Sequence, residues 1–264
     1  MDKPILSPQQ LAQYDEDGYL LVSGLIPEAT VAKAEAGMWS LLDMMPDAPA
    51  SWKHIPEPPE NSLLNVEATP DASLIEHFGV QDADLLACCT PEYLCGIDQL
   101  VKANPEAFHC QKRHPEAIWA RNVFPTTKPW HNPSPHLDGG FRDFKIFPGT
   151  FRVATITYLT DVEKHGGGTL VWRRSHRRIR DFVQQHPDRY QYIHDIKFDT
   201  DQLDLGEPVE VTPKRGDVLF FQHLLAHTGT PNVGSHRRFA IRYMCSCLGC
   251  RKWEKSGMWN IWSP

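Results

Sequence analysis

After Pro115 the chain breaks into short apolar runs parted by turn residues, and this rhythm limits its fold more than any other feature. The runs AIWARNVF, FRVATITYL, PVEVT, VLFFQHLLAH and RRFAIRYMCSC are divided by HNPSPH, KHGGG, PKRGD and TGTPNVG. Alternating stretches of this length, bounded by Gly, Pro, Asn and Asp, read as serial strands of a sandwich or barrel. Upstream the pattern is helical. Ser7 followed by Pro8 is a cap and a proline at the first helical position. That helix breaks at Gly18 into a short strand, Tyr19–Val22. A second helix is predicted over about 28–45, where apolar residues recur at three- and four-residue steps. Pro46 to Pro59 reads as loop, Ala83 to Lys102 as one helix or two parted at Pro91, and IRDFVQQHPDRYQYI as a helical insertion. The expectation is one mainly β domain over 1–264, with N-terminal helices in a flank (1–115) and a β core (116–250).

Composition then removes several function classes. The 264 residues are 41% hydrophobic and 23% charged, enough to build a core without disulfides or a structural metal. The 27 basic residues are outnumbered by 33 acidic ones, which argues against nucleic acid, because neutralising phosphates needs an excess of Lys and Arg. No stretch approaches the roughly 20 apolar residues of a membrane span. The start, MDKPILSPQQ, has neither a basic segment nor an apolar signal core. Seven cysteines, several crowded (Cys88 and Cys89; Cys245, Cys247 and Cys250), suit a reducing compartment, so a cytoplasmic location is expected. CSCLGC could form part of a zinc site, but it lacks a fourth ligand at finger-like spacing.

The chemistry concentrates in the second half. His136-Leu137-Asp138 lies between a proline-rich approach and two glycines. In a strand, residues i and i+2 share a face, with Cα atoms about 6.6 Å apart, so both side chains can hold one ion. A second His-x-Asp, His186-Pro187-Asp188, sits in the helix-like insertion, where residues two apart diverge. A third ligand is sought in VLFFQHLLAHTGTPN, read as a strand with Leu219, Phe221, His223, Leu225 and His227 on one face. Four residues of strand span about 13 Å, so His223 and His227 cannot both bind the same ion. Two histidines and a carboxylate form the facial set of non-haem Fe(II) oxygenases, with positions left open. On the last run, Arg238 shares a face with Ala240, Arg242 and Met244, and can clamp a carboxylate with two parallel hydrogen bonds.

HLD at 136–138, GGGTLVWRRSH at 166–176 and GDVLFFQHLLAHTGTPN through Arg238 together resemble the phytanoyl-CoA dioxygenase family of Fe(II)- and 2-oxoglutarate-dependent oxygenases. The likeness runs from roughly Trp119 to Met244, with His227 91 positions after His136 and Arg238 11 positions after His227. It implies a double-stranded β-helix, a jelly roll of the cupin kind. It implies Fe(II) on His136, Asp138 and His227, with His223 a pocket neighbour. Arg238 would take the distal carboxylate of 2-oxoglutarate, and Asn122, Thr155 and Thr157 would lie on strands contributing to that pocket. The implied reaction consumes O2 and 2-oxoglutarate, releases succinate and CO2, and hydroxylates a C–H bond of a small-molecule substrate. Asp138 favours hydroxylation over halogenation, since related halogenases carry a small residue there. Two positions depart from the family pattern: Arg173-Arg174 stands where Pro-Gly is frequent, and Gly229 where a serine is common.

The run Arg173 to Arg180 is the sharpest charge feature. It reads as a solvated basic stretch or as an anion site near the barrel mouth, in which Arg173 and Arg174, with Arg242 and His223, would contact an anionic substrate. Two further readings are a non-catalytic jelly roll that binds a small molecule or metal, and a cupin-type metalloenzyme without 2-oxoglutarate. Neither needs all of His136, Asp138, His227 and Arg238.

Overall fold

The computed structural model describes residues 4–53, 55–57, 60, 63–67, 74–101, 115–138, 151–186, 188–190, 195–196, 199–200 and 203–246. The first helix, α1 (Pro8–Asp17), starts as its cap predicts: Ser7 Oγ accepts from the Gln10 N–H while Gln10 Oε1 accepts from the Ser7 N–H. It ends at Gly18, whose φ of 84° lies in the left-handed region. A short strand, β1 (Tyr19–Val22), follows, then α2 (Glu28–Leu42). The helical stretch after Val80 is two helices, α3 (Ala83–Leu86) and α4 (Pro91–Val101).

The β core holds β4 (Ile118–Val123), β5 (Phe151–Tyr158), β6 (Thr169–Val171), β7 (Val209–Val211), β8 (Val218–Gln222), β9 (His227–Gly229) and β10 (Arg238–Ser246). Two more strands, β2 (Leu63–Glu67) and β3 (Leu74–Val80), fall inside the flank expected to be mostly helix and loop. One sheet has the order β1-β8-β5-β10-β4-β3-β2, the other β7-β6-β9, and every strand pairing in both is antiparallel. This is a jelly roll.

Three apolar clusters fix the layers. Ala154, Ile156, Tyr158, Val171, Val211, Leu219, Phe221 and Ala240 fill the space between the sheets. Val153, Val218, Phe220, Phe239 and Ile241, on the opposite face of the large sheet, pack with α2 to α4 through residues such as Met38, Leu85 and Ile97. Outside the small sheet, Leu137, Leu170 and Trp172 pack on Ile179 and Val183 of the helix α5 (Ser175–Gln185). The large sheet is therefore buried on both faces. No helix among the described residues is long and apolar enough to cross a membrane. Cys88 and Cys89 are free and buried, with burial pushing each thiol up to about 12. Cys247 and Cys250 of the CSCLGC run lie outside the described residues.

The run VLFFQHLLAH is not one strand. The chain turns after Gln222, with the Leu225 N–H donating to the Gln222 carbonyl at 3.0 Å, and resumes as β9 in the other sheet. His223 and His227 are thus on opposite sides of a sheet-to-sheet crossing.

Gly18 sits where α1 meets this crossing. A Cβ built there would lie 2.4 Å from His176 Nδ1 and 2.9 Å from Leu225 Cδ1, and the left-handed φ already disfavours a side chain. Gly18→Ala is expected to destabilise the protein by about 1 kcal/mol or more, read as a lower urea midpoint at unchanged slope. An unchanged midpoint would show that α1 is loosely attached.

Candidate metal and co-substrate site

His136 and His227 face each other across a pair of main-chain hydrogen bonds: the His136 N–H donates to the His227 carbonyl at 3.0 Å, and the His227 N–H returns one at 3.1 Å. Directly opposed residues of antiparallel chains point to the same face, and the two imidazole rings lie 4.7 Å apart. Asp138 is two residues on, and Leu137 between them is buried in the outer cluster. His227 Nε2 is 3.2 Å from Asp138 Oδ2, and His136 Nε2 is 3.9 Å from Asp138 Oδ1. One ligand atom from each of the three residues falls within a 4.8 Å span. His186, the histidine of the second His-x-Asp, instead follows the end of α5 and packs against Phe182.

Several contacts hold His227 in ligand form. Its Nδ1 donates to the Leu225 carbonyl at 2.9 Å, leaving the Nε2 lone pair toward Asp138. Burial lowers its pKa to about 4, so the imidazole is neutral at physiological pH. The residue before it is clamped to the glycine-rich run: the Ala226 N–H donates to Ser175 Oγ at 2.8 Å, and the Trp172 N–H donates to the Ala226 carbonyl at 3.0 Å. Ser175 is fully buried. Its positioning role was hidden in the sequence because Ser-His reads as the start of a polar helix.

Alternation along β10 sends Arg238, Ala240 and Arg242 between the sheets and Phe239 and Ile241 to the helices. Arg238 is 1% exposed. Its Nε donates to the Gly167 carbonyl at 2.8 Å and its Nη1 to the Arg121 carbonyl at 3.3 Å. Burial lowers its pKa to about 10, so it stays charged at neutral pH. Tyr158, whose hydroxyl lies 3.0 Å from Thr169 Oγ1, is near enough for the Arg238 charge to oppose the rise that burial imposes on its pKa. Sequence reading passed over both residues. Tyr158 shares a face with Ala154 and Ile156, and only that parity marks it as an inward residue.

Arg242 lies at the other end of the same face. Its Nη2 contacts Asp138 Oδ2 and lies 3.4 Å from His227 Nε2. Its guanidinium carbon is 4.9 Å from the Trp119 ring and 5.5 Å from the Phe221 ring. Burial first, then Arg121, lowers its pKa to about 9. Arg121 on β4 reaches inward between the two, ion-paired to Glu76 of β3 at 2.6 Å. A Cβ at Gly229 would lie 2.8 Å from Arg121 Nη2. The missing side chain at the position where the family commonly has serine therefore makes room for Arg121.

Other expected residues lie elsewhere. Asn122, Thr155 and Thr157, expected in the co-substrate pocket, stand on the opposite face, toward the helices. Asn122 is paired in register with Phe239 and Ile75, Thr155 with Phe220, and Thr157 with Ile241 and Val218. Thr155 Oγ1 is 2.5 Å from the Tyr93 hydroxyl of α4. Both faces of this sheet are buried, so alternation gave two sets of residues without telling which was inward. His223 is 1% exposed, in the turn after β8 and outside the ligand cluster.

Arg173 and Arg174, expected at a substrate anion site, are instead paired with carboxylates of α1. Arg173 donates to Asp17 Oδ1 through Nε at 3.1 Å and Nη2 at 2.8 Å, and Arg174 pairs with Glu16 at 2.7 Å. Arg177 also meets Glu16, at 2.9 Å. The basic run thus clasps the acidic end of α1. Beneath it His176 is fully buried, with Nε2 3.2 Å from the Asp15 carbonyl, and burial lowers its pKa to about 4 from an ordinary 6.5. The unfolded chain binds this proton more tightly than the folded one. Stability is therefore complete above about pH 6.5 and falls as the pH drops toward 4, by at most about 3 kcal/mol at 1.36 kcal/mol per unit. Urea midpoints across that window should decline less in His176→Asn; an equal decline would assign the loss to other groups.

The fold is that of the Fe/2-oxoglutarate-dependent oxygenases. It resembles the crystal structure of SnoN, a non-haem α-ketoglutarate-dependent epimerase from nogalamycin biosynthesis, at a TM-score of 0.56 and 14% identity over 89% of this chain and 79% of that one. SnoK, the carbocyclase of the same biosynthesis, matches at 0.56 and 17% over 92% and 87%. EctD from S. alaskensis, solved with 2-oxoglutarate and 5-hydroxyectoine, matches at 0.54 and 14% over 92% and 76%. The chain belongs to the phytanoyl-CoA dioxygenase (PhyH) family, whose model matches residues 14–240. None of the curated proteins matches the sequence.

Proposed function

We propose that this protein is an Fe(II)- and 2-oxoglutarate-dependent dioxygenase that hydroxylates an unactivated C–H bond of a small molecule, releasing succinate and CO2. The observation that carries this reading is the convergence of His136, Asp138 and His227 within 4.8 Å inside a jelly roll of this family. Two imidazoles and one carboxylate suit Fe(II) and leave positions on it open. When bound, the metal and 2-oxoglutarate supply the activation of O2. Asp138 keeps a carboxylate in the ligand set and so favours hydroxylation over halide transfer.

The chain's own residues divide the remaining work. Arg238, buried and aimed by two main-chain carbonyls, would receive the distal carboxylate of 2-oxoglutarate, with the Tyr158 and Thr169 hydroxyls beside it. Arg121, fixed by Glu76, would flank the co-substrate between Arg238 and the metal ligands. The apolar residues Ile156, Val171, Leu219 and Phe221 keep water from that channel, which strengthens each charged contact within it.

Anaerobic addition of Fe(II) and then 2-oxoglutarate should produce a weak visible charge-transfer band, and admission of air should release succinate. Full metal occupancy without the band would favour a non-catalytic binder or a metalloenzyme that does not use 2-oxoglutarate.

A further inference from the structure

A guanidinium is kept inside a protein only beside an anion or a full set of acceptors. Among the described residues the inner space carries three of them, Arg121, Arg238 and Arg242, and two carboxylates, Glu76 and Asp138. Glu76 is committed to Arg121 at 2.6 Å. Asp138 is left for Arg242, which is 4% exposed, and the Nε of Arg242 has no hydrogen-bond partner among the described residues. Trp119 and Phe221 cover the ring-like head of Arg242. Its edge is thereby held at the ligand cluster, beside His227 and Asp138.

The charge balance changes once the proposed function is granted, and the inference rests on that reading. Asp138 would serve a divalent metal as ligand, and 2-oxoglutarate would add a second negative charge there, neutralising the centre. The distal carboxylate is matched by Arg238. Arg242 would then share its anion with a metal, yet keep its positive charge and, among the described residues, an unpaired N–H in a buried place. We propose that Arg242 receives a carboxylate of the prime substrate, so that the enzyme oxidises small organic acids at a carbon near the acid group. The planar fork of arginine suits a carboxylate, to which it donates two parallel hydrogen bonds. This moves the anion site from the exposed run at Arg173 and Arg174, occupied by α1, to the interior next to the metal ligands.

The test uses protein loaded with Ni(II) and 2-oxoglutarate, which binds without turnover. Acetate, propionate and 3-phenylpropionate are each compared with the corresponding amide by ligand-detected NMR and calorimetry. Charge-assisted hydrogen bonds predict a preference of about tenfold or more for the acid in at least one pair. Arg242→Gln should abolish that preference and Arg242→Lys should retain part of it, because a point charge replaces the fork. Arg173→Gln should leave it intact. Affinity for 2-oxoglutarate should stay within about threefold of wild type in Arg242→Gln, a change of under 1 kcal/mol. Equal binding of acid and amide in every pair overturns the proposal, as does a preference that survives Arg242→Gln. A collapse of 2-oxoglutarate affinity in Arg242→Gln also overturns it, making Arg242 a co-substrate anchor instead. If wild-type protein takes up no 2-oxoglutarate, the parent reading fails, a result seen before any acid is added.

Discussion

Arg238→Ala is expected to weaken 2-oxoglutarate binding by roughly 30- to 5,000-fold while leaving metal affinity nearly unchanged. The range follows from the cost of truncating one partner of a buried charged pair, about 2–5 kcal/mol, at tenfold per 1.4 kcal/mol. The structure favours the upper part of that range. Arg238 is 1% exposed and fixed by the Gly167 and Arg121 carbonyls, so little freedom is lost when a ligand binds and little water is present to replace it. Arg238→Lys should recover only part of the affinity. Both variants would be titrated anaerobically with Fe(II) and then with 2-oxoglutarate. Wild-type affinity in Arg238→Ala would transfer the anchor to Arg121 or Arg242, which share its face.

Alanine at His136, Asp138 or His227 is expected to remove Fe(II) binding and all succinate release. Loss of an outer-shell partner alone costs about 10- to 100-fold in metal affinity, so loss of a ligand should exceed it. His223→Ala and His186→Ala are the controls and should keep metal affinity, since neither side chain belongs to the three-residue cluster. Retention of metal in His227→Ala with loss in His223→Ala would reassign the third ligand. Asp138→Ala also removes the carboxylate that Arg242 contacts, so its folding should be checked separately by circular dichroism.

How much was legible in the sequence depended on whether a signal was local. Ser7, Pro8 and Gly18 mark the ends of α1 because capping is settled within a few residues. The β core was readable from alternation and turns as a sandwich or barrel, and the jelly roll was implied by the family resemblance that its motifs carry. The strands β2 and β3 were not, because Asn65, Glu76 and His77 interrupt their apolar pattern; Glu76 is polar because it serves Arg121 across the sheet. The bend after Gln222 was hidden in VLFFQHLLAH, which carries no Gly or Pro to announce it. Asn122, Thr155 and Thr157 were placed in the pocket because the family resemblance implied it for their strands, and a sheet buried on both sides offers no polar face to show that they point to the helices. Arg173 and Arg174 pointed to an anion, correctly in kind, but their anions are Asp17 and Glu16, more than 150 residues upstream.

The metal ligands and the arginines belong to different halves of the sandwich. His227 is in β9 and His136 is bonded to it, so both histidines hang from the three-stranded sheet. Arg238 and Arg242 are in β10 of the seven-stranded one. On the proposed function, metal alone fastens the small sheet to itself. 2-Oxoglutarate, held by the metal at one end and by Arg238 at the other, would then act as a rivet through both walls. The width of the gap between them would then be set by the length of a five-carbon diacid, which would fix the room for any prime substrate before that substrate arrives.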